Sequence, residues 1–157
     1  MKLYFLRHGI ADWPDWDPAR DHERPLTNEG IKKLKATAKT LAALNLQFDA
    51  VLSSPYTRAW QTADIVANAL GLDVQSEPRL APGFDIGKLA DVLTEYADAR
   101  ALLLVGHEPS FSAVIAHLID GGRVMMKKGA VARVDLADPT ELRGDLVWLA
   151  PPKVLIR

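Results

Sequence analysis

Cysteine is absent from the sequence, which excludes a disulfide framework and thiolate metal sites and fits a reducing compartment. Apolar runs as long as a membrane-spanning helix are missing as well. Polar residues at positions 7 and 8 cut the N-terminal apolar run too short for a signal peptide. With 19 lysines and arginines against 20 aspartates and glutamates, no excess of charge favours nucleic-acid or membrane binding. We therefore expect a soluble cytoplasmic protein.

Candidate strands and helices alternate along the chain, whose 157 residues fit one domain covering 1–157. Strand patterns cover residues 2–6, 50–54, 73–80 and 101–105, and a helical apolar stripe follows each of them. This alternation predicts a three-layer α/β/α fold with a mostly parallel sheet. Two further strands, 130–136 and 145–150, follow each other without a helix and predict an antiparallel pair at the edge of a mixed sheet.

Single residue types predict where several of these elements begin and end. Gly9 permits a turn after the first strand. The region 10–25, rich in Asp, Pro and Trp, is interpreted as a loop long enough to be suspected of function. Thr27 is placed to cap the first helix, in which Gly30 is slightly unfavourable, and Ser110 is placed to cap the fourth.

Polar side chains follow three of the candidate strands: Arg7–His8, Ser53–Ser54 and His107. In open α/β sheets, ligands bind beyond the carboxyl ends of the strands, and these ends converge if the three strands are parallel neighbours. Arg58 lies in the first turn of the helix that follows the second strand, close to the same edge. We therefore expect one constellation of four side chains: Arg7, His8, Arg58 and His107.

The residue types in this constellation suit phosphate chemistry. Two guanidinium groups match the oxygens of a phosphoryl group as bidentate donors. Phosphoryl transfer needs mainly positioning and charge stabilisation, and a histidine can serve as a covalent nucleophile. The helix that begins near Ser110 would also aim free backbone N–H groups at this edge, which favours an anion. The residues alone therefore predict a phosphate site with neither metal nor other cofactor.

Other interpretations of the same residues remain open at this point. His107 could be a structural histidine at a strand end, with its ring nitrogens hydrogen-bonded inside the fold. Arg58 could be a surface residue at the start of a helix. A zinc site built from His8, His107 and a carboxylate is conceivable, but no close histidine spacing supports it and two arginines would repel the metal. His22 and His117 receive no predicted role.

Three segments of the chain resemble the signature blocks of the histidine phosphatase (phosphoglycerate-mutase-like) superfamily. With Arg24-Pro25-Leu26-Thr27 and the helix after it, the resemblance covers most of residues 1–118. The short chain, without a large helical insertion, is most similar to the small SixA-type phosphohistidine phosphatases. The three blocks are Leu6-Arg7-His8-Gly9, Ser53-Ser54-Pro55-Tyr56-Thr57-Arg58-Ala59-Trp60-Gln61-Thr62-Ala63 and Val105-Gly106-His107-Glu108-Pro109.

This resemblance implies a role for each residue of the constellation. His8 would attack phosphorus in line and carry a transient phosphohistidine. Arg7, Arg58 and His107 would hold the phosphoryl oxygens, and Arg24 would bind substrate at the pocket rim. Water would then release phosphate.

One feature of many superfamily members is missing from the sequence. Those members carry a glutamate general acid in a stretch that corresponds to residues 80–85, and no glutamate stands there. An imidazole leaving group, whose conjugate acid has a pKa of about 6.5, needs less help from an acid than an alcohol does. The gap therefore favours a phosphoramidate such as phosphohistidine, with Asp12 and Glu108 as possible substitute acids.

The leading hypothesis is a metal-independent phosphatase that acts through a phosphohistidine intermediate on His8, with a phosphohistidine protein as substrate. The runner-up has the same chemistry on a small phosphoester or polyphosphate. A mutase is disfavoured because the short chain has little material for a lid. A phosphate-binding module without turnover is the alternative from another class. The sequence does not indicate an oligomeric state.

Overall fold

The computed structural model describes residues 1–156 and contains one six-stranded sheet. Its strands are β1 (Lys2–Arg7), β2 (Ala50–Ser53), β3 (Val74–Ser76), β4 (Ala101–Gly106), β5 (Val131–Leu136) and β6 (Gly144–Ala150). They are ordered β3-β2-β4-β1-β5-β6, and the first four of these are mutually parallel. The predicted mixed, mostly parallel sheet is confirmed.

Five α-helices cover the two faces of this sheet. They are α1 (Asn28–Ala43), α2 (Thr57–Leu70), α3 (Ile86–Glu95), α4 (Ser110–Leu118) and α5 (Pro152–Leu155). Apolar side chains of α1, α2 and α5 form one buried cluster with one face of the sheet. Those of α3 and α4 form a second cluster with the other face. The three-layer α/β/α prediction is therefore confirmed. None of the helices formed by residues 1–156 is long and apolar enough to cross a membrane.

The register of the parallel strands brings their carboxyl ends together. Arg7 at the end of β1 is paired with Gly106 at the end of β4. Ser53 at the end of β2 is paired with Val105 one residue earlier on β4. Because β4 lies between the other two, the residues that follow all three strands emerge at one place on the sheet edge.

The last two strands form the antiparallel edge that their pattern predicts. β5 pairs antiparallel with β1 on one side and with β6 on the other, and within residues 1–156 no further strand pairs with β6. At the opposite edge, β3 is shorter than the predicted strand 73–80. Pro78 has no N–H for a ladder hydrogen bond, and it begins a short 3-10 helix instead.

Three local predictions need correction. The region 10–25 is not wholly irregular, since Pro18–Glu23 forms a 3-10 helix whose first turn is capped by Asp17. Ser110 is the first residue of α4, and its side chain does not cap the helix. The carboxylate of Glu108 caps it instead, by accepting hydrogen bonds from the N–H and the hydroxyl of Ser112. The helix α5 was not predicted, because four residues give too short a stretch for helical periodicity.

Gly9 is also required for a reason other than the predicted one. Its φ is not positive, so the turn after β1 does not need the freedom of glycine. A Cβ at Gly9 would lie 2.6 Å from a methyl carbon of Leu34 on α1. Gly30 on the same helix would meet the backbone of Ile10. The two glycines therefore allow α1 to pack closely on the segment that follows β1.

Candidate active site

The four predicted residues lie together beyond the ends of β1, β2 and β4, and we call them the strand-end pocket: Arg7, His8, Arg58 and His107. The ring centroids of His8 and His107 are 5.3 Å apart. The Nε atom of Arg58 lies 3.4 Å from Nε2 of His8. His8, Arg58 and His107 are each at most 6% exposed, which is unusual for charge-capable side chains. The four residues that the sequence predicted to meet are therefore neighbours in the structure, and their roles stay a prediction.

His8 is held in one tautomer by the backbone. Its Nδ1 lies 2.7 Å from the carbonyl oxygen of Gly9. Because a carbonyl can only accept, Nδ1 carries the proton and Nε2 keeps its lone pair. The Gly9 N–H donates to Oγ1 of Thr62, which in turn donates to the Arg58 carbonyl, so the β1 end is tied to the first turns of α2. The basic nitrogen of His8 thus faces the pocket.

Both histidines of the pocket are neutral near pH 7. Burial lowers the pKa of His8 to about 4, because the charged imidazolium loses its hydration. The hydrogen bond to Gly9 opposes this shift, and the guanidinium groups of Arg58, Arg7 and Arg24 reinforce it. Burial likewise lowers the pKa of His107 to about 3, with smaller contributions from its charged neighbours.

His107 is anchored through the residues that follow β2. Its Nε2 lies 2.8 Å from Oγ of Ser54, and the same hydroxyl accepts a hydrogen bond from the N–H of Tyr56. The Tyr56 ring packs edge-on against the imidazole, with centroids 5.2 Å apart. The other ring nitrogen, Nδ1, is buried and has no hydrogen-bond partner among residues 1–156. The small polar residues predicted at the end of β2 therefore orient the second histidine.

Arg58 and Arg24 are both fixed by one carboxylate, that of Asp21. The Arg58 guanidinium donates to the backbone oxygen of Asp21 at 2.9 Å and to its Oδ2 at 3.1 Å. Arg24 donates from Nε to Oδ1 at 3.0 Å, and its Nη1 donates to the Ala11 carbonyl. Burial raises the pKa of Asp21, but the hydrogen bonds and charges of the two arginines outweigh it and keep that pKa below its ordinary value. Asp21 thus stays ionised and links the two guanidinium groups.

Arg7 borders the pocket at the end of β1. Its Nη1 donates to the carbonyl oxygen of Met126 at 2.9 Å. The N–H of Gly129 donates to the carbonyl oxygens of Arg7 and His8, which fixes this segment against the end of β1. The Nε atom of Arg7 is buried without a hydrogen-bond partner among residues 1–156. Two donor-capable nitrogens, on Arg7 and His107, are therefore still available to a bound group.

The two carboxylates suggested as substitute acids are both engaged. Lys128 donates to both oxygens of Asp12, at 2.6 and 2.7 Å, and this contact holds the pKa of Asp12 below its ordinary value. Glu108 accepts hydrogen bonds from the N–H and the hydroxyl of Ser112. Phe111 donates its N–H to the His107 carbonyl. The N–H groups of Phe111 and Ser112 are thus satisfied internally and are not among the donors that the start of α4 could offer to an anion.

Asp21 is the residue that sequence reasoning missed. It lies in the region assigned to a loop, where an aspartate is ordinarily solvated. The available signal was its position three residues before Arg24, the spacing of one 3-10 turn. The contact of Thr62 with Gly9 was also missed, because it joins α2 to a residue 53 positions earlier in the chain. Within residues 1–156, no three His, Cys, Asp or Glu side chains are grouped closely enough to hold a metal ion.

Comparisons with known proteins show the family and the fold. The profile of the histidine phosphatase superfamily (branch 1) matches residues 3–87. The chain is 31% identical to the phosphohistidine phosphatase SixA of Escherichia coli, over 97% of this chain and 94% of that one. It is 41% identical to an uncharacterized protein of Picosynechococcus over 83% and 82% of the two chains. A structure of the protein histidine phosphatase SixA complexed with tungstate matches with a TM-score of 0.85 and 30% identity, covering 98% of both chains.

Proposed function

The chain belongs to the histidine phosphatase superfamily, and we propose that it is a metal-independent phosphatase for phosphohistidine in proteins. The observation that carries this proposal is the state of His8. Its proton is held on Nδ1 by the Gly9 carbonyl, its pKa is lowered to about 4, and its Nε2 faces Arg58 inside a buried cationic pocket. A neutral imidazole held in this way is a competent nucleophile near pH 7. We further propose that residues 1–157 act as a single domain.

In the first step, Nε2 of His8 attacks phosphorus in line with the bond to the leaving nitrogen. The bond between phosphorus and the substrate nitrogen breaks as the new bond to His8 forms, and the substrate imidazole departs with a proton from solvent. In the second step, water attacks phosphorus, the bond to Nε2 breaks, and inorganic phosphate is released. A covalent intermediate of this kind divides one difficult substitution into two easier ones.

The charge that develops on the phosphoryl oxygens is stabilised by the other pocket residues. Arg7 Nε and His107 Nδ1 are buried without partners among residues 1–156, and hydrogen bonds to phosphoryl oxygens would satisfy both. For His107, donation from Nδ1 requires that Ser54 donates its hydroxyl proton to Nε2. Arg58 adds a second guanidinium next to the nucleophile, and Arg24 binds substrate at the rim.

The leaving group is inferred from the absence of a free acid. Asp12 is ionised and bound by Lys128, and Glu108 is occupied by Ser112, so neither carboxyl is placed to donate a proton. An alcohol leaving group would be slowed by this lack. An imidazole leaving group needs no protein acid near neutral pH, because water can supply its proton: the conjugate acid of free imidazole has a pKa of about 6.5. This difference favours phosphohistidine, the substrate after which the Escherichia coli relative is named.

Metal independence is proposed from the charge around His8. Three guanidinium groups lower its pKa, and the same positive field would repel a divalent cation from Nε2. The arginines also supply the charge stabilisation that a metal ion otherwise gives to phosphoryl transfer. A chelator is therefore expected to leave the rate unchanged, and added divalent metal is expected not to raise it.

The experiment that tests the function is a substrate panel. A phosphohistidine peptide, a phosphoserine peptide of the same sequence and para-nitrophenyl phosphate are hydrolysed by the wild-type protein and by the His8→Ala variant. We expect kcat/KM for the phosphohistidine peptide to exceed that for phosphoserine at least about tenfold, and His8→Ala to abolish turnover of all three. Faster hydrolysis of phosphoserine would contradict the substrate assignment, and phosphate binding without any turnover would leave only a binding module.

A second candidate, a small phosphoester, is favoured by a cleft on the Arg24 side of the pocket. This Trp cleft, of about 410 Å³, is lined by Trp13, Trp16, Asp21 and Arg24 among others. Both indole N–H groups donate to backbone carbonyls, so the rings are fixed surfaces on which an organic ring can stack. If this candidate is right, Trp13→Ala raises KM for small aromatic phosphoesters and leaves KM for the phosphohistidine peptide unchanged.

A further inference from the structure

A second concave surface lies on the Arg7 side of the pocket and adjoins the Trp cleft at Asp12, which lines both. We call it the basic groove; it has a volume of about 800 Å³. It runs between the segment that precedes β5 and the C-terminal segment around α5. Pro151 and Pro152 line it together with four lysines: Lys33, Lys127, Lys128 and Lys153. A groove lined by both apolar and cationic side chains is suited to a polypeptide rather than to a free phosphate.

The basic groove adjoins the strand-end pocket at Arg7. Arg7 lines the groove and is the last residue of β1, directly before the nucleophile His8. The segment that carries Lys127 and Lys128 is fixed to the same place, through the contact of Arg7 with Met126 and that of Gly129 with the β1 end. A chain bound in the groove would therefore pass beside the reacting phosphoryl group.

The charges of this groove are incompletely balanced. Lys33 pairs with Glu29 at 2.8 Å, and Lys128 pairs with Asp12. Lys127 and Lys153 are exposed and have no ion pair among residues 1–156. Asp12 is the one acidic side chain among the residues described as lining the groove. Since the whole chain has a net charge of −1, this positive charge is a local feature.

We propose that the basic groove docks an acidic segment of the substrate protein, next to its phosphohistidine, mainly through Lys127 and Lys153. The inference rests on the proposed function and adds to it the property by which a protein substrate is selected. Carboxylates of the segment pair with the two lysines, and its apolar side chains lie on the prolines. Because these ion pairs form at a solvent-exposed rim, they act on binding and on salt dependence and not on the chemical step.

Two synthetic peptides test this docking site. Both carry one histidine phosphorylated with phosphoramidate; one has glutamates flanking it, and its twin has glutamines at the same positions. We expect the wild-type protein to have a KM about tenfold lower for the glutamate peptide, with equal kcat. The double variant Lys127→Ala with Lys153→Ala is expected to lose most of this preference. Its kinetics on para-nitrophenyl phosphate are expected to stay at the wild-type values, which also reports correct folding.

A matched control distinguishes the groove from general charge. The variant Lys35→Ala with Lys39→Ala removes the same charge from a separate groove on α1, and it is expected to keep the glutamate preference. Equal KM values for the two peptides in the wild type, or an unchanged preference in the Lys127/Lys153 variant, would overturn the docking site while turnover of both peptides leaves the proposed function standing. Hydrolysis of para-nitrophenyl phosphate but of neither peptide would refute the phosphohistidine assignment, and the docking site with it.

Discussion

The strand-end pocket and the basic groove share Arg7, yet they hold their cations in opposite ways. In the pocket, Arg58 is buried and bound by Asp21, and each histidine has one ring nitrogen fixed by a hydrogen bond. In the groove, Lys127 and Lys153 are exposed and without an ion pair among residues 1–156. Fixed charges suit a transition state, whose geometry is the same in every turnover. Exposed lysines without an ion pair can change conformation, and they suit a binding partner whose side chains vary.

The largest effect on kcat is expected when the buried guanidinium group of Arg58 is removed from the pocket. We expect Arg58→Ala to lower kcat for any phosphorylated substrate by about 10²- to 10³-fold, because a preorganised charge beside the nucleophile is lost. Arg143→Ala removes an exposed arginine that pairs with Asp120, and it should leave kcat unchanged. Steady-state kinetics of the two variants give the ratio. A loss of less than threefold in Arg58→Ala would mean that the pocket does not depend on this charge.

The buried histidines predict a pH dependence of stability that exposed lysines cannot produce. The pKa of His8 is about 4 in the folded protein and about 6.5 when unfolded, so the unfolded chain takes up the proton first as pH falls. The free energy of unfolding should therefore be fully retained above about pH 6.5 and decrease towards pH 4, by about 3 kcal/mol from His8 alone.

Denaturant unfolding at about pH 7 and about pH 4.5 measures this decrease in the wild-type protein and in His8→Gln. The variant should lose less stability over this interval, since it lacks the titrating group. Equal losses in the two proteins would show that His8 is not a buried neutral histidine.

Asp21 offers a smaller perturbation of the same pocket. Asp21→Asn removes the charge that joins Arg58 and Arg24 while keeping the size of the side chain, and we expect kcat to fall about tenfold because Arg58 loses its fixed position. The exposed residue Asp120, also paired with an arginine, gives the matched control Asp120→Asn. The decrease should appear in kcat and not in KM, and an unchanged kcat would assign Asp21 to stability alone.

The smallest effect is expected from salt. Raising ionic strength screens exposed charges far more than buried ones. For an acidic phosphohistidine peptide, KM should rise severalfold between low and physiological salt, while kcat changes little. The same titration with the Lys127/Lys153 variant should be nearly flat. A large salt effect on kcat would contradict the assignment of the exposed lysines to substrate binding and of the buried arginines to the chemical step.

The general form of the molecule could be predicted from the sequence because strong, local patterns encode it. Three buried strands end at Arg7 or directly before Ser54 and His107, and few arrangements remain once these strands are parallel neighbours, as they are in the structure. Arg7, His8 and His107 follow from that rule, and Arg58 follows from the start of the helix after the second strand. The resemblance to a family added the expected role of each residue.

The parts that were missed depend on individual contacts that the spacing of apolar residues does not encode. The role of Asp21 appears only when a 3-10 turn brings it against Arg58, 37 residues later in the chain. Glu108 replaces Ser110 as the cap of α4 through a hydrogen bond that no periodicity reveals. The basic groove is formed by lysines from three separate segments. Sequence spacing carries no information on such encounters.

The central claim is that His8 carries the phosphoryl group, and mass spectrometry of the enzyme during turnover tests it most directly. The protein is mixed with para-nitrophenyl phosphate, whose good leaving group favours accumulation of the intermediate, and is quenched in base within one turnover. The peptide that contains His8 should gain the mass of one phosphoryl group, and this species should be absent from His8→Ala. A phosphoryl group on another residue, or full turnover by His8→Ala, would contradict the mechanism.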